Sequence, residues 1–115
     1  ESAVGPARLL LDRRDRPTAV FAANDLMAIR TVEVARSLGL SVPEDLSVVG
    51  FDNVPESALA EPALTTVSQP LQEIGRTALS MLLTLLAGEE LERTHVRLET
   101  RLVARASTAP PPALR

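Results

Sequence analysis

Short apolar runs alternate with segments of helical periodicity along this chain. The runs Thr18–Ala22 (TAVFA) and Leu46–Phe51 (LSVVGF) are mostly apolar and β-branched or aromatic, which is typical of strands buried in a sheet. Between them, the spacing of apolar residues predicts a helix that is capped by Asn24, extends to about Leu38 and is stopped by Gly39. Because strands that alternate with helices usually form parallel sheets covered by helices, the pattern predicts an α/β fold with a largely parallel sheet.

The second half of the chain continues this alternation. Leu64–Val67 predicts a third, more polar strand, and apolar residues at helical spacing predict a helix over Pro70–Gly88. Two stretches of alternating residues, His95–Glu99 and Arg101–Arg105, are interpreted as strands. The proline-rich residues 108–115 are expected to form a disordered tail.

Composition excludes several classes of function. Twelve basic and fifteen acidic side chains give a formal net charge of -3, which does not favour binding to nucleic acid or anionic membranes. There is no cysteine, and the single histidine, His95, is interpreted as a surface residue of a strand-like stretch, so no metal site is expected. The five glycines are too dispersed for a dinucleotide or phosphate loop. We therefore expect neither a cofactor nor enzymatic activity, and the absence of a long apolar run predicts no membrane span.

Polar side chains follow three of the predicted strands: Asn24 after the first, Asp52 after the second and Gln69 after the third. In open parallel sheets, ligands bind in a crevice beyond the carboxyl ends of the strands. A carboxylate and two amides at a shared rim suit a polyhydroxylated or amide-bearing small molecule. Each residue also has a structural interpretation, since Asn24 can be a helix cap, Asp52 a turn residue, and Gln69 solvent-exposed or a cap.

The helix after Asn24 carries two kinds of apolar residue. A helical projection places one set on a broad face towards the sheet, namely Met27, Ala28, Thr31, Val34, Ala35 and Leu38. Leu26 and Ile29 lie on the other side, and Val32 lies on the boundary. This second set is interpreted as a subunit contact, although single apolar residues are also common on protein surfaces.

Three motifs in this order resemble the C-terminal half of the effector domain of LacI/GalR transcriptional regulators: FAANDLMAI, VPEDLSVVGFDN and TTVSQP. The resemblance extends from about Pro17 to Pro111, and its core corresponds to residues 17–107. Residues 1–16 fit as the end of a preceding helix and loop. The resemblance implies a three-layer αβα fold of the type I periplasmic-binding-protein kind, of which this chain is part.

The resemblance also assigns residues. It implies that Asn24 and Asp52 hydrogen-bond effector hydroxyls, that Gln69 is a third polar contact, and that Leu71 takes a position that often carries an aromatic ring against a sugar. Because this position is leucine and the chain has no Trp or Tyr, a sugar effector is less strongly indicated. The resemblance places Leu26, Ile29 and Val32 on a helix used for dimerisation.

By this resemblance, we expect a cytoplasmic repressor-like regulator that senses a small molecule, such as a sugar or a related polar metabolite, and forms a homodimer. Operator DNA would be bound only by an N-terminal helix-turn-helix that this sequence does not include. The alternative is a periplasmic solute-binding protein of the same fold that serves transport. A helix-turn-helix upstream would favour the regulator, and a secretory signal peptide would favour the transport protein.

Overall fold

The computed structural model describes residues 3–113, which form four helices and four short strands. In chain order these are α1 (Val4–Leu11), β1 (Ala19–Phe21), α2 (Asp25–Ser37), β2 (Ser47–Val49), α3 (Pro55–Leu59), β3 (Thr66–Ser68), α4 (Leu71–Leu86) and β4 (Arg101–Val103). The described part of the chain is elongated, with principal extents of 63 × 25 × 24 Å. No helix within residues 3–113 is long and apolar enough to cross a membrane.

The predicted parallel sheet is present in the first three strands. β1 and β2 pair in parallel, with Val20 opposite Val48. Parallel bridges from Val49 to Thr65 and from Asp52 to Ser68 then join the end of β2 to the segment that contains β3. β4 differs, because it runs antiparallel to β3. The carboxyl ends of β1, β2 and β3 therefore lie at the same edge, where the candidate ligand-binding residues follow them.

Helix α2 forms and ends as its sequence predicts. The Asn24 side chain accepts a hydrogen bond from the Met27 N–H at 2.9 Å and so caps the first turn. At the other end, Gly39 has a φ of 76°, its N–H donates to the Arg36 carbonyl, and the Leu40 N–H donates to the Ala35 carbonyl. These two bonds form a Schellman motif, which requires a left-handed residue and therefore favours glycine.

The core lies between α2, α1 and the β1–β2 sheet. Its fully buried members include Ala28 and Ala35 of α2, with Leu46, Val48 and Leu64 from the sheet side. The predicted inner face of α2 is confirmed, since four of its six members are buried and Met27 and Leu38 pack against the core. The assignment of Val32 to a subunit contact is wrong, because its side chain is only 5% exposed and belongs to this core.

Three local predictions are wrong. Strand β1 is not buried as expected, because within residues 3–113 it has one hydrogen-bonded neighbour, and Phe21 remains 65% exposed. No strand forms over His95–Glu99, where an alternating pattern alone does not supply a pairing partner. The tail is ordered at its start: Thr108 bonds to Thr65, and Ala109 exchanges two hydrogen bonds with Ser47. Residues 114–115 of the predicted tail lie outside the described residues.

Helix α4 is present as predicted, but its apolar side chains are not covered. None of its residues is buried. Met81 is half-buried, and the Leu and Ile side chains of the helix are between about two-fifths and three-quarters exposed. It ends in the same way as α2, because Gly88 has a φ of 76° and the Glu89 N–H donates to the Thr84 carbonyl. An amphipathic helix of this kind normally stabilises a protein by burying its apolar stripe, and residues 3–113 provide little to bury it.

Candidate effector site

The apolar strand β2 is followed by a turn whose conformation favours the acid and the amide found there. Asp52 and Asn53 both have positive φ, 113° and 62°. Asp and Asn adopt such conformations more readily than other non-glycine residues, since their short side chains bond locally. The Asp52 N–H donates to the Val67 carbonyl at 2.9 Å, which fixes the turn against β3. Turn chemistry is thus part of the reason for the Asp-Asn pair.

The turn also brings two candidate side chains together. Gln69 Nε2 donates a hydrogen bond of 2.6 Å to Asp52 Oδ1, and both side chains are half-buried. The Gln69 backbone N–H lies 3.4 Å from the Asp52 carbonyl oxygen. The ends of β2 and β3 therefore hold a carboxylate and an amide as one polar pair.

Asn24 lies on the neighbouring strand end but is not part of this pair. The two strand ends are tied together, because Asp25 N–H donates to the Phe51 carbonyl at 3.0 Å. The Asn24 side-chain oxygen is occupied by the helix cap, and within residues 3–113 no hydrogen bond joins Asn24 to Asp52 or Gln69. Its structural role as a cap is confirmed. Its amide N–H groups remain available to another acceptor.

The cavities do not enclose these residues in one pocket. An open groove of about 650 Å³ between α2 and α3 is lined by Asn24, while a separate one of about 560 Å³ between α4 and residues 94–100 is lined by Gln69. Leu71, the first residue of α4, is 48% exposed. The described residues thus supply polar groups on one side of a prospective ligand without surrounding it.

Asp25, in the first turn of α2, is a structural residue that the sequence analysis did not identify. Its side chain is 1% exposed and accepts hydrogen bonds from Thr66 Oγ1 at 2.5 Å and from the Val54 N–H at 2.8 Å. It also explains Gly50, because a Cβ there would lie 2.8 Å from Leu64 Cδ2 and closer still to Asp25 Oδ1. The sequence signal that could have revealed this contact is a glycine at the end of an apolar strand.

Arg105 was also missed, since it was assigned to a strand. Its guanidinium donates to Asn53 Oδ1 at 2.8 Å, to Ser57 Oγ at 3.0 Å and to the Leu64 carbonyl at 2.9 Å. A charged residue between Ala104 and Ala106, in an otherwise apolar stretch, is the only sequence hint of this arrangement.

The two side chains with shifted pKa values, Asp15 and Arg30, lie away from the strand ends. A hydrogen bond from Arg13 lowers the pKa of Asp15, and a hydrogen bond to Glu33 raises the pKa of Arg30. Both pairs are exposed, at 2.8 Å and 2.7 Å, and such pairs contribute little to stability. No cluster of His, Asp or Glu side chains suited to a metal ion occurs within the described range 3–113.

The groove between α2 and α3 contains the other predicted set. Leu26 is 60% exposed and Ile29 is half-buried, and both line the groove together with Leu59, which is 83% exposed. Arg30 and Glu33 line the same groove and pair with each other at 2.7 Å. The structure thus places Leu26 and Ile29 on one surface, and it adds Leu59 from α3.

Comparison with known proteins identifies the family. The model of the periplasmic binding protein-like domain matches residues 2–108. The transcriptional repressor PurR of Yersinia enterocolitica is 39% identical over 112 residues, which are 97% of this chain and 33% of that relative. The PurR repressor of Salmonella arizonae is 40% identical with the same coverage. The chain therefore spans about a third of the length of the curated relatives it matches.

Solved structures show the same architecture. The transcriptional regulator CelR in complex with cellobiose has a TM-score of 0.86 and 42% identity, over 92% of this chain and 32% of that one. A LacI family regulator of Enterococcus faecium with bound ribose has a TM-score of 0.83 and 37% identity, over 94% and 40%. A dimeric Lac repressor has a TM-score of 0.85 and 34% identity, over 96% and 40%. The chain belongs to the periplasmic binding protein-like domain family and corresponds to the C-terminal part of the effector domain of LacI-type transcriptional regulators.

Proposed function

We propose that this chain is the effector-sensing part of a LacI-type transcriptional regulator and that Asp52 and Gln69 hydrogen-bond a small polar effector. The observation that carries the proposal is the 2.6 Å bond between these side chains at the ends of β2 and β3. A carboxylate at the carboxyl end of a parallel strand suits ligand binding, because ligands in this class of fold bind beyond the strand ends.

The free atoms of the pair define the chemistry of the effector. Gln69 Nε2 donates one of its two protons to Asp52 Oδ1, and in the described part of the chain Asp52 Oδ2 and Gln69 Oε1 accept no hydrogen bond. Both are acceptors, so they select a ligand edge with two donors. The Asn24 amide nitrogen offers a donor nearby, which selects a ligand acceptor. Hydroxyl groups satisfy all three demands, so we infer a polyhydroxylated effector or one bearing amide and amine groups.

The named relatives support a regulator over the transport alternative. The curated matches are repressors, and two structural relatives contain cellobiose and ribose. These two ligands are hydroxyl-rich, in agreement with the polar pair. Leu71 in place of an aromatic ring would contribute apolar contact without stacking, so the sugar class stays part of the proposal. We infer that this chain acts by binding, not by catalysis, in the cytoplasm where the operator DNA is.

We further propose that the surface of Leu26, Ile29 and Leu59 is the homodimer contact. Leu26 and Leu59 are exposed apolar side chains on adjacent helices, and such a patch with a charged pair at its side suits a protein interface. The similarity to a dimeric Lac repressor supports this assignment. Effector binding would then act on operator affinity by favouring one arrangement of the dimer, which requires different effector affinities in the two arrangements.

The experiment is a thermal-shift screen of sugars, purines and amino acids on the intact protein that carries this chain, followed by calorimetry with each compound that raises the melting temperature. Asp52→Asn is the sharpest variant, since asparagine tolerates the positive φ that alanine does not. Losing the charge of the acceptor should weaken binding by roughly tenfold or more.

Asp45→Asn is the matched control. Its carboxylate accepts the Ser41 N–H at 2.8 Å in the loop before β2, away from the strand ends. Its effector affinity should remain within about twofold of the parent protein, as expected for sites without shared partners. Equal affinities of Asp52→Asn and the parent protein would leave Asp52 with a turn role only.

A further inference from the structure

Two consecutive non-glycine residues with positive φ form the turn that carries the proposed effector carboxylate. Asp52 has a φ of 113°, outside the usual left-handed region near 60°, while Asn53 at 62° lies within it. Such backbone conformations persist only where surrounding contacts hold them. The contacts that hold this turn therefore decide where the Asp52 carboxylate is placed.

The Asn53 side chain ties the turn to three other segments of the chain. Its Nδ2 donates to Ser68 Oγ at 3.2 Å, while its Oδ1 has two nearby donors, Arg105 Nη2 at 2.8 Å and Ser57 Oγ at 3.2 Å. Ser57 has one hydroxyl proton, and the Val54 carbonyl oxygen is the closer acceptor at 2.7 Å. Arg105 is thus the principal donor to the Asn53 oxygen.

Arg105 is itself held in place by neighbouring segments. Its Nη1 donates to Ser57 Oγ and to the Leu64 carbonyl, and its backbone N–H donates to Thr65 Oγ1 at 2.9 Å. Within residues 3–113 it forms no salt bridge, so its charge is directed at neutral acceptors around the turn. The planar guanidinium fork can reach these acceptors together, which a lysine ammonium cannot.

We propose that Arg105 is the positioning residue of the effector turn, acting through Asn53 on the placement of Asp52 and of its partner Gln69. The inference deepens the proposed function, because the turn matters for sensing only if Asp52 binds the effector. Arg105 follows β4, the strand that runs antiparallel to β3, and lies about fifty residues after the turn in sequence. A residue from the end of the chain would thus fix the turn at the carboxyl end of β2.

The test is hydrogen–deuterium exchange of the intact protein without any added ligand, which makes it independent of the effector. Arg105→Met should speed exchange in peptides that cover residues 51–57 by about tenfold, as local opening of the turn becomes easier. The Asp52 amide, which is bonded to the Val67 carbonyl across the turn, should show the largest change. Arg105→Lys should give a similar result, because it keeps the positive charge but loses the planar guanidinium group. This variant replaces Arg105→Met in the test if the methionine variant does not fold.

Arg16→Met is the matched control, since Arg16 is also half-buried and donates to a backbone carbonyl, that of Asp45, at 3.1 Å. It should leave exchange over residues 51–57 unchanged. Unchanged exchange there in both Arg105 variants would overturn the inference, and so would equal acceleration in β1 and in the turn, which would indicate a general loss of stability. The effector titration of Asp52→Asn tests the proposed function separately: if it fails while the exchange result holds, Arg105 still fixes the turn but the turn is not the sensing element.

Discussion

Asp25→Ala should destabilise the domain strongly, although Asp25 is not one of the proposed effector-binding residues. Its carboxylate accepts one hydrogen bond from Thr66 Oγ1 and one from the Val54 N–H, and Thr66 is fully buried. A hydrogen bond to a charged group is worth about 1.5–3 kcal/mol, so losing both should lower the free energy of unfolding by about 3–6 kcal/mol. This is a large part of the 5–15 kcal/mol that stabilises a typical domain, as an order-of-magnitude comparison.

The assay is urea denaturation of the intact protein followed by far-ultraviolet circular dichroism, since this chain has no tryptophan. Glu33→Ala is the control, because Glu33 lies on the same helix and forms only an exposed pair with Arg30. Its effect should stay within about 0.5 kcal/mol. A double-mutant cycle with Thr66→Val should give a coupling of about 1–3 kcal/mol between Asp25 and Thr66.

Two results would refute the reasoning. A loss below about 1 kcal/mol for Asp25→Ala would mean that water replaces the carboxylate at no cost, in contrast to the penalty expected for buried unsatisfied donors. A coupling near zero with Thr66→Val would mean that the 2.5 Å contact contributes nothing specific. A loss of full size without coupling would assign the effect to the Val54 N–H alone.

The remaining predictions concern packing and assembly. Gly50→Ala should destabilise by about 1–3 kcal/mol, measured by the same denaturation, because the added Cβ would overlap Asp25 and Leu64; a stabilising effect would contradict the packing described. Leu26→Glu should weaken self-association in sedimentation experiments, because it would place an unpaired charge in the α2–α3 groove. Ser37→Glu is the control and should leave self-association unchanged, since Ser37 is exposed near the end of the same helix. Ile29 is a poorer test, since it also packs against the core. An unaltered dimer with Leu26→Glu would place the interface elsewhere.

Most of the fold could be predicted from local signals. The helix α2 has a cap at one end, a glycine at the other and an apolar stripe between them, so every signal agrees. The burial of β1 could not be predicted, because burial depends on which neighbours the sheet has, and the residues described provide one. The apolar alternation over His95–Glu99 failed for a related reason, since a strand needs a partner as well as a pattern.

The candidate site was predictable only in part. The positions of Asn24, Asp52 and Gln69 after the strands followed from the strand pattern, and the contact between Asp52 and Gln69 agrees with it. Val32 was wrongly assigned to a subunit contact. A helical projection shows which side of the helix a residue faces, but it does not show how far around the helix the neighbouring elements cover it. Arg105 and Asp25 were missed because their partners are 52 and 41 residues distant along the chain, a separation at which sequence spacing carries no information.

These long-range polar bonds lie close to the residues of the proposed effector site. Asp25 joins α2 to β3, and Arg105 joins the return segment to the turn at Asn53. Ser107 adds a third link, because it accepts the Thr65 N–H and donates to the Val48 carbonyl. Apolar contacts tolerate small slides of one element over another, whereas hydrogen bonds are directional and weaken steeply when misaligned. In the proposed effector site, Gln69 Nε2 and Asp52 Oδ1 lie 2.6 Å apart, and directional polar bonds at the strand ends fix such a geometry more tightly than a larger apolar core would.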